Sequence, residues 1–324
     1  MKAAVRTRYG PPEGVRIADV DRPAAKDHEI LVKVHVSTVN RTDCGFRSGK
    51  PFIVRFFSGL TGPKVTILGS EFAGVVEALG VGVTSFAVGD KVFGFNEDRF
   101  GAHAGYMSIP EDAALATMPE NVTFEEAAAS TEASHYALSL IKKAKVRAGT
   151  EVLVNGGTGA IGSAAIQILK SLGAEVTAVC DTEHVDLVRG LGADRVIDYM
   201  TEDFTKDEQT YDVVLDAVGK SSFDRCRRLL KPRGIYLSSD LGPWNLNPAL
   251  ALVTPLFGKK KVMFPIPPKR DREVVGYLKE TLASGAFRPV LDRRYDLDQI
   301  VEAYRYVETG QKIGNVLITV DPAI

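Results

Sequence analysis

Hydrophobic and polar residues alternate near the start of the chain. In "HEILVKVHV" (28–36), Ile30, Val32, Val34 and Val36 fall on one face, as in a half-buried strand. "EFAGVVEAL" and "DKVFGF" read as further short strands, separated by glycine turns such as "GVGVTSFAVGD". Short strands punctuated by Gly and Pro predict a small barrel or sandwich over residues 1–122. "VNRTDCGFRSG" (39–49) reads as a polar break after the first long strand. The period changes at Thr123, which stands three residues before Glu126 in the order of a capping box and starts a helix. A second helix is predicted over 133–144. Strands then alternate with helices: strands at 151–154, 175–180, 195–198, 212–216 and 234–239, with the first helix at 160–172. Apolar strands joined by helices predict a parallel sheet covered on both faces. "KVMF" (261–264) is a candidate last strand of that sheet. Amphipathic helices are predicted at 271–285 and 296–310, and "NVLITV" (315–320) is a closing strand. No crossover follows it, so it is expected to return to the N-terminal β region.

Composition narrows the function classes. At 324 residues the chain has room for about two domains. A formal net charge of -1 gives no electrostatic footprint for nucleic acid or an anionic membrane. Cys44, Cys180 and Cys226 are far apart and form no CxxC pair, which argues against a disulfide framework and fits a reducing, cytoplasmic compartment. "MKAAVRTRYG" does not open a signal peptide, and no run approaches the ~18 apolar residues of a membrane span. The expected partner is a small molecule.

The strongest chemical signal is "EVLVNGGTGAIGSAAIQILK". Gly157, Thr158, Gly159, Ala160, Ile161 and Gly162 spell G-x-G-x-x-G between an apolar strand and an amphipathic helix, the context that pattern needs. The first glycine is expected to make the tight turn, the second to admit a pyrophosphate, and the third to let helix and strand pack closely. Helix N-terminal amides then receive the phosphate charge. Asp181 ends the second strand, where an acid accepts the adenosine ribose hydroxyls and repels a 2′-phosphate. That favours NADH over NADPH, although His184 offers partial positive charge and keeps NADPH open. Ala217, Val218 and Gly219 follow the fourth strand, and Ser238, Ser239 and Asp240 the fifth, so both sets are expected on the ligand rim.

With "VNRTDCGFRSGK", "GSEFAGVVEALGVGVTSFAVGDKVFG", "NGGTGAIG", "LGADRVIDY", "DAVG" and "TGQKIGNVLI" together, the whole chain resembles the zinc-independent medium-chain dehydrogenases/reductases, quinone oxidoreductase (zeta-crystallin-like) group. The resemblance implies an α/β fold, a Rossmann doubly wound parallel sheet inserted into a GroES-like β-rich catalytic domain. The implied boundaries are 1–122 with 267–324, and 123–266. It implies hydride transfer from NAD(P)H to quinones or α,β-unsaturated carbonyl compounds. Alcohol dehydrogenase or enoyl-thioester reductase chemistry on the same fold, and a non-catalytic crystallin-like nucleotide binder, are the alternatives. Zinc-dependent relatives take Cys, His and Cys; aligning on the Thr42-Asp43 pair, those positions fall on Asn40, Ser70 and, approximately, Glu132. An amide, a hydroxyl and a carboxylate make a poor tetrahedral zinc set, so no metal is expected.

The resemblance and the chemistry of the side chains make Asn40, Ser70, Glu132 and Tyr136 candidate catalytic groups. Asn40 is also a candidate ligand of the nicotinamide ribose, Asp43 is expected to orient backbone, and Glu132 with His135 form a possible proton relay or a plain packed pair. Tyr199 resembles the family position that stacks on adenine, and Asn315 the C-terminal position where backbone approaches the cofactor. Phe52, Phe56 and Phe57 are candidate walls of an apolar substrate cleft, with Phe257 and Phe264 near the same rim. An open edge at "KVMF" points to a homodimer.

Overall fold

The computed structural model describes residues 1–265 and 272–321. Residues 266–271 and 322–324, and the Phe257 side chain, lie outside the described residues, and with them the expected 266/267 boundary and the rim role of Phe257.

A two-stranded antiparallel ribbon opens the chain, β1 (Lys2–Val5) with β2 (Arg16–Asp19). The long strand β3 (Glu29–Val39) follows, then helices α1 (Arg41–Ser48) and α2 (Val54–Ser58). Strands β4 (Glu71–Leu79), β5 (Lys91–Phe95), β6 (Tyr106–Pro110) and β7 (Leu115–Thr117) continue the β region. The alternation expected along β3 holds for Ile30, Val32 and Val34, which share one core cluster with Phe72, Val76 and Ile109. Val36 lies outside that cluster, because a register irregularity against β4 falls between Val34 and Val36. Such irregularities re-aim the side chains that follow.

The polar break expected at 39–49 is a helix. Asn40 is its N-cap, accepting the Asp43 amide at 2.8 Å, while the Asp43 carboxylate accepts the Asn40 amide at 3.3 Å. Reciprocal capping of this kind stabilises a helix of mostly polar residues. Cys44 packs from α1 into the core and is buried, and burial pushes its thiol up to about 12. A buried thiol of that kind is inert.

Thr123 and Glu126 form the expected capping box, opening α3 (Phe124–Ala129), which is followed by α4 (Thr131–Ala144). The next strands are β8 (Glu151–Asn155), β9 (Glu175–Cys180), β10 (Arg195–Asp198), β11 (Tyr211–Asp216), β12 (Leu230–Ser238) and β13 (Lys261–Met263). The helices between them are α5 (Ala160–Ser171), α6 (Val185–Gly190), α7 (Phe223–Cys226) and α8 (Asn247–Phe257). The six strands are parallel in the order β10-β9-β8-β11-β12-β13. That is the doubly wound order whose switch point lies at β8 and β11.

After the segment outside the description come α9 (Arg272–Ser284), β14 (Leu291–Asp296), α10 (Ile300–Glu308) and β15 (Asn315–Thr319). As expected, the closing strand returns to the β region: β15 pairs antiparallel with β3, with Leu317 opposite Thr38. The seven-stranded sheet runs β14-β15-β3-β4-β5-β7, with β6 on the side of β3. Ile300, Ala303, Tyr304 and Val307 of α10 bury against Val39, Cys44, Val316 and Ile318. The two chain ends thus build one core.

The chain divides into two units, Met1–Glu132 with the described residues after 271, and a second that begins at Ala133. The division falls after Glu132, beyond the expected 122/123, because α3 packs on β3, β4, β5 and β15.

Candidate active site

In the second unit, β8 turns into α5 through Gly156–Gly159. The residue that needs left-handed backbone here is Gly156, at φ 87°, and not Gly157 as the pattern implied. A Cβ on Gly156 would also stand 2.3 Å from the Val218 Cγ1. Gly157 is held close to Ile166 and Ala178 instead, where its Cβ would come within 3.2 and 3.3 Å. Gly159 is the N-cap of α5, and a Cβ there would meet nothing nearer than 3.6 Å. An open approach therefore leads to the first-turn amides of Ala160, Ile161 and Gly162, which have no helical carbonyl upstream to bond. A Cβ on Gly162 would lie 2.0 Å from the Gly156 carbonyl oxygen. This cradle fits a dinucleotide pyrophosphate, with Thr158 inside the turn.

The neighbouring rim is organised by Asp216, which is fully buried. Its carboxylate accepts Asn155 Nδ2 at 3.0 Å, the amides of Val218, Gly219 and Ser221 at 3.3, 3.1 and 3.0 Å, and the Tyr236 hydroxyl at 3.2 Å. Burial raises its proton affinity and these donors oppose that. The loop Ala217–Gly219 is thereby fixed, with the Val218 side chain exposed over Gly156. Ser238 is buried at the end of β12 and accepts the Asp240 amide at 3.2 Å. Asp181 follows β9, and its Oδ1 accepts the His184 amide at 3.1 Å and faces His184 Nδ1 at 2.5 Å. Tyr199 stands beyond β10, its amide bonded to the Cys180 carbonyl at 3.0 Å and its ring half exposed.

In the first unit, Asn40, Ser70 and Glu132 converge. Asn40 Nδ2 donates to Ser70 Oγ at 2.7 Å and to Glu71 Oε2 at 3.4 Å. Glu71 also accepts the Thr38 hydroxyl, the Thr131 hydroxyl at 2.9 Å and the Glu132 amide at 2.7 Å. Glu132 in turn accepts the Thr42 hydroxyl. Asn40 and Ser70 are both buried, and the Asn40 amide is fully engaged by Ser70, Glu71 and Asp43. Glu71, the shared acceptor of this network, was not singled out by the sequence pattern; its only signal was its place in the Gly69-Ser70-Glu71 triplet.

Burial, with the negative charges of Glu71 and Glu97 adding to it, holds the Glu132 proton well above the usual carboxylate range; the Thr42 bond opposes it. Lys312 is lowered by burial and donates to the Gly314 carbonyl; Glu132 and Glu71 act on it in the opposite direction.

Asp43 is fully buried and orients backbone, accepting the Gly69 amide at 3.1 Å in addition to that of Asn40. Burial pushes its carboxyl up to about 8 from 3.8, against those two amides. The folded protein keeps this proton to about pH 8 whereas the unfolded chain releases it near 3.8. The stabilisation is therefore complete below the unfolded value and is lost as pH rises toward about 8. Urea midpoints are expected to fall over that window. Asp43→Asn, lower at the start, is expected to fall less; an equal slope would show that another group carries the proton.

His135 is buried on α4 and meets the Tyr136 ring edge-on at 6.1 Å. Phe52, Phe56 and Phe57 are exposed around α2, with Phe52 and Phe56 edge to face at 5.8 Å. Phe264 is half-buried just after β13. Asn315 is buried, its side chain donating to the Val290 carbonyl at 3.1 Å.

Comparison with known proteins agrees with this geometry. Residues 26–120 match the alcohol dehydrogenase GroES-like domain and residues 191–318 the zinc-binding dehydrogenase family. The chain is 31% identical over 332 residues to 2-methylene-furan-3-one reductase of Solanum lycopersicum, covering 98% of this chain and 79% of that protein. It is 28% identical to the quinone oxidoreductase of Sus scrofa, covering 94% and 93%. The solved quinone oxidoreductase of Coxiella burnetii superposes with a TM-score of 0.88 at 26% identity, covering 99% of both chains. The chain belongs to the quinone oxidoreductase family of medium-chain dehydrogenases/reductases.

One matched family is named for zinc, so the donor chemistry at 40, 70 and 132 matters. A quinone-oxidoreductase-family chain with Asn40 donating to Ser70, and Glu132 accepting from Thr42, offers neither thiolate nor imidazole there. Zinc takes those donors in tetrahedral sites, so this set does not fit it. Among the described residues no group of three His, Cys, Asp or Glu is placed to hold a metal.

Proposed function

We propose that the chain is a zinc-independent NAD(P)H-dependent oxidoreductase that moves hydride to quinones or α,β-unsaturated carbonyl compounds. The observation that carries this reading is the cradle from β8 to α5, with Gly162 against the Gly156 carbonyl and the first-turn amides open to an anion. When bound, the nicotinamide supplies the hydride. Gly157, Thr158, Gly159, Ala160, Ile161 and Gly162 hold the pyrophosphate, Asp181 the adenosine ribose, Tyr199 the adenine, and Ala217, Val218, Gly219, Ser238 and Asn315 border the cofactor. Asp181 favours NADH; one relative, from Arabidopsis thaliana at 29% identity, is named an NADPH-dependent alkenal/one oxidoreductase. Phe52, Phe56, Phe57 and Phe264 offer flat apolar contact to the acceptor.

After hydride adds to the quinone ring or to the β-carbon, negative charge collects on the carbonyl oxygen, and that oxygen takes a proton. Glu132, which keeps its proton above the usual range, is the donor we favour, with Tyr136 as its alternate. Thr42 holds that carboxyl, and Asn40, tied to Ser70, holds Glu71 against the Glu132 amide. Glu132→Gln is expected to lower kcat about 10²-fold with KM little changed, and the wild-type rate to fall as pH rises through the raised carboxyl. A Gln variant with unchanged kcat removes Glu132 from the mechanism.

The direct test is absorbance at 340 nm with NADH or NADPH and a panel of quinones, enones and an enoyl thioester. Turnover that survives a chelator is expected; tight cofactor binding without turnover of any acceptor would overturn the reading. Stoichiometric zinc in the purified protein would overturn the zinc-independent part.

We also read the protein as a cytoplasmic homodimer. Among the described residues no helix is long and apolar enough to cross a membrane, and the three cysteines are free and buried. Among the described residues the edge strand β13 pairs only with β12, and Trp244, Leu252 and Leu256, which precede it in sequence, are 92%, 77% and 74% exposed. Light scattering is expected to return twice the chain mass, and Leu252→Asp with Leu256→Asp to halve it.

A further inference from the structure

We propose that His184 sets the choice between NADH and NADPH by clamping Asp181. The inference rests on the cofactor reading above. An acid at the end of the second strand accepts two ribose hydroxyls and repels a 2′-phosphate, and it does both best when both oxygens are free. Here they are not. Asp181 Oδ1 takes the His184 amide at 3.1 Å and lies 2.5 Å from His184 Nδ1. Each side chain is only about a quarter exposed, 25% for Asp181 and 26% for His184. The pair is therefore accessible yet partly withdrawn from water. One carboxylate oxygen remains for a ribose hydroxyl, and the imidazole covers the other, which would otherwise face and exclude a phosphate.

The surroundings leave this role to His184. On the same turn and α6, Glu183 and Asp186 are acidic, and Arg189 is paired with Asp186 at 3.6 Å. On β9, Cys180 is buried, with a thiol raised to about 11 by burial and by Asp181 and Asp198. At the end of β10, Asp198 accepts the Thr182 hydroxyl at 2.6 Å and the Met200 amide at 2.9 Å. Tyr199 is raised by burial and then by Asp181. The field at the ribose site is thus negative apart from Arg189 and His184, and His184 alone bonds Asp181 among the described residues.

The test measures binding of 5′-ADP and 2′,5′-ADP by titration calorimetry, independent of turnover, with wild-type, His184→Ala, His184→Asn and Asp181→Asn/His184→Ala chains. His184→Ala is expected to weaken 2′,5′-ADP about tenfold relative to 5′-ADP, because both Asp181 oxygens then face the phosphate. The double variant is expected to recover that loss, because the effect passes through Asp181. His184→Asn, which keeps a donor beside Asp181, is expected to retain more of the wild-type nucleotide ratio than His184→Ala. An unchanged nucleotide ratio in His184→Ala at every pH, with 5′-ADP still bound, overturns the proposal and leaves the cofactor reading intact. Failure of wild type to bind either nucleotide overturns both.

Discussion

Gly162→Ala is expected to abolish nicotinamide-cofactor binding and to lower the melting temperature by several degrees. The added Cβ would sit 2.0 Å from the Gly156 carbonyl oxygen, 2.8 Å from its carbon and 3.2 Å from Gly157 Cα. All three neighbours are backbone, so no side chain can swing away. Overpacking of this kind costs roughly 1–3 kcal/mol or more, about 2–4 °C per kcal/mol for a unit of this size. Relief must move either the turn or α5, and either shift disperses the first-turn amides that face the pyrophosphate. Gly190→Ala, at a position where a Cβ meets nothing within 4 Å, is the control. It is expected to be neutral or to stabilise by about 0.4–1 kcal/mol through the unfolded chain. Equal effects of the two substitutions, by thermal melt and by NADH and NADPH titration, would refute the close-approach explanation.

Glu71→Ala is expected to be the most damaging single change in the first unit. It leaves the Thr38 hydroxyl, Asn40 Nδ2, the Thr131 hydroxyl and the Glu132 amide without their shared acceptor, all of them buried. Asn40 keeps Ser70 and Thr131 keeps long bonds to the Gly94 and Ala128 carbonyls, but each buried donor left without an acceptor costs about 1–3 kcal/mol. The sum is not additive, but a loss of about 4–5 kcal/mol is the exceptional range, and poor folding is an expected result. Glu71→Gln keeps one acceptor oxygen and the shape, and gives the functional readout. Its lost negative charge removes one cause of the raised proton affinity of Glu132 and Asp43. The alkaline limb of the rate profile therefore moves to lower pH. A limb that stays in place while the melting temperature drops would confine Glu71 to a structural role.

The parts legible in the sequence were those whose signal is local. The strand at 175–180 and the one at 195–198 run as the apolar pattern predicted, and the capping box at Thr123 forms. The glycine fingerprint was readable because its context, strand before and helix after, lies within one short window. The helix over 41–48 was not, because its residues are mostly polar and its cap pairs Asn40 with Asp43 where Glu or Gln is the commoner third residue. Reading Gly157 as the turn glycine failed for a different reason. What excludes a side chain at Gly156 is Val218, a residue on another strand's loop.

The amino-acid sequence by itself determined the alternation of strands and helices, the glycine turn between β8 and α5, and the absence of Cys and His at positions 40, 70 and 132. Only the tertiary structure decided that Asn40, Ser70 and Glu132 meet around Glu71, whose partners lie 31 to 61 residues away along the chain. It alone decided that the Asp181 carboxylate is already held by His184. Periodicity and capping depend on neighbours a turn apart, so a short window contains their cause. The charge state and availability of a buried carboxylate depend on which distant donors and acids surround it, and folding alone brings those together.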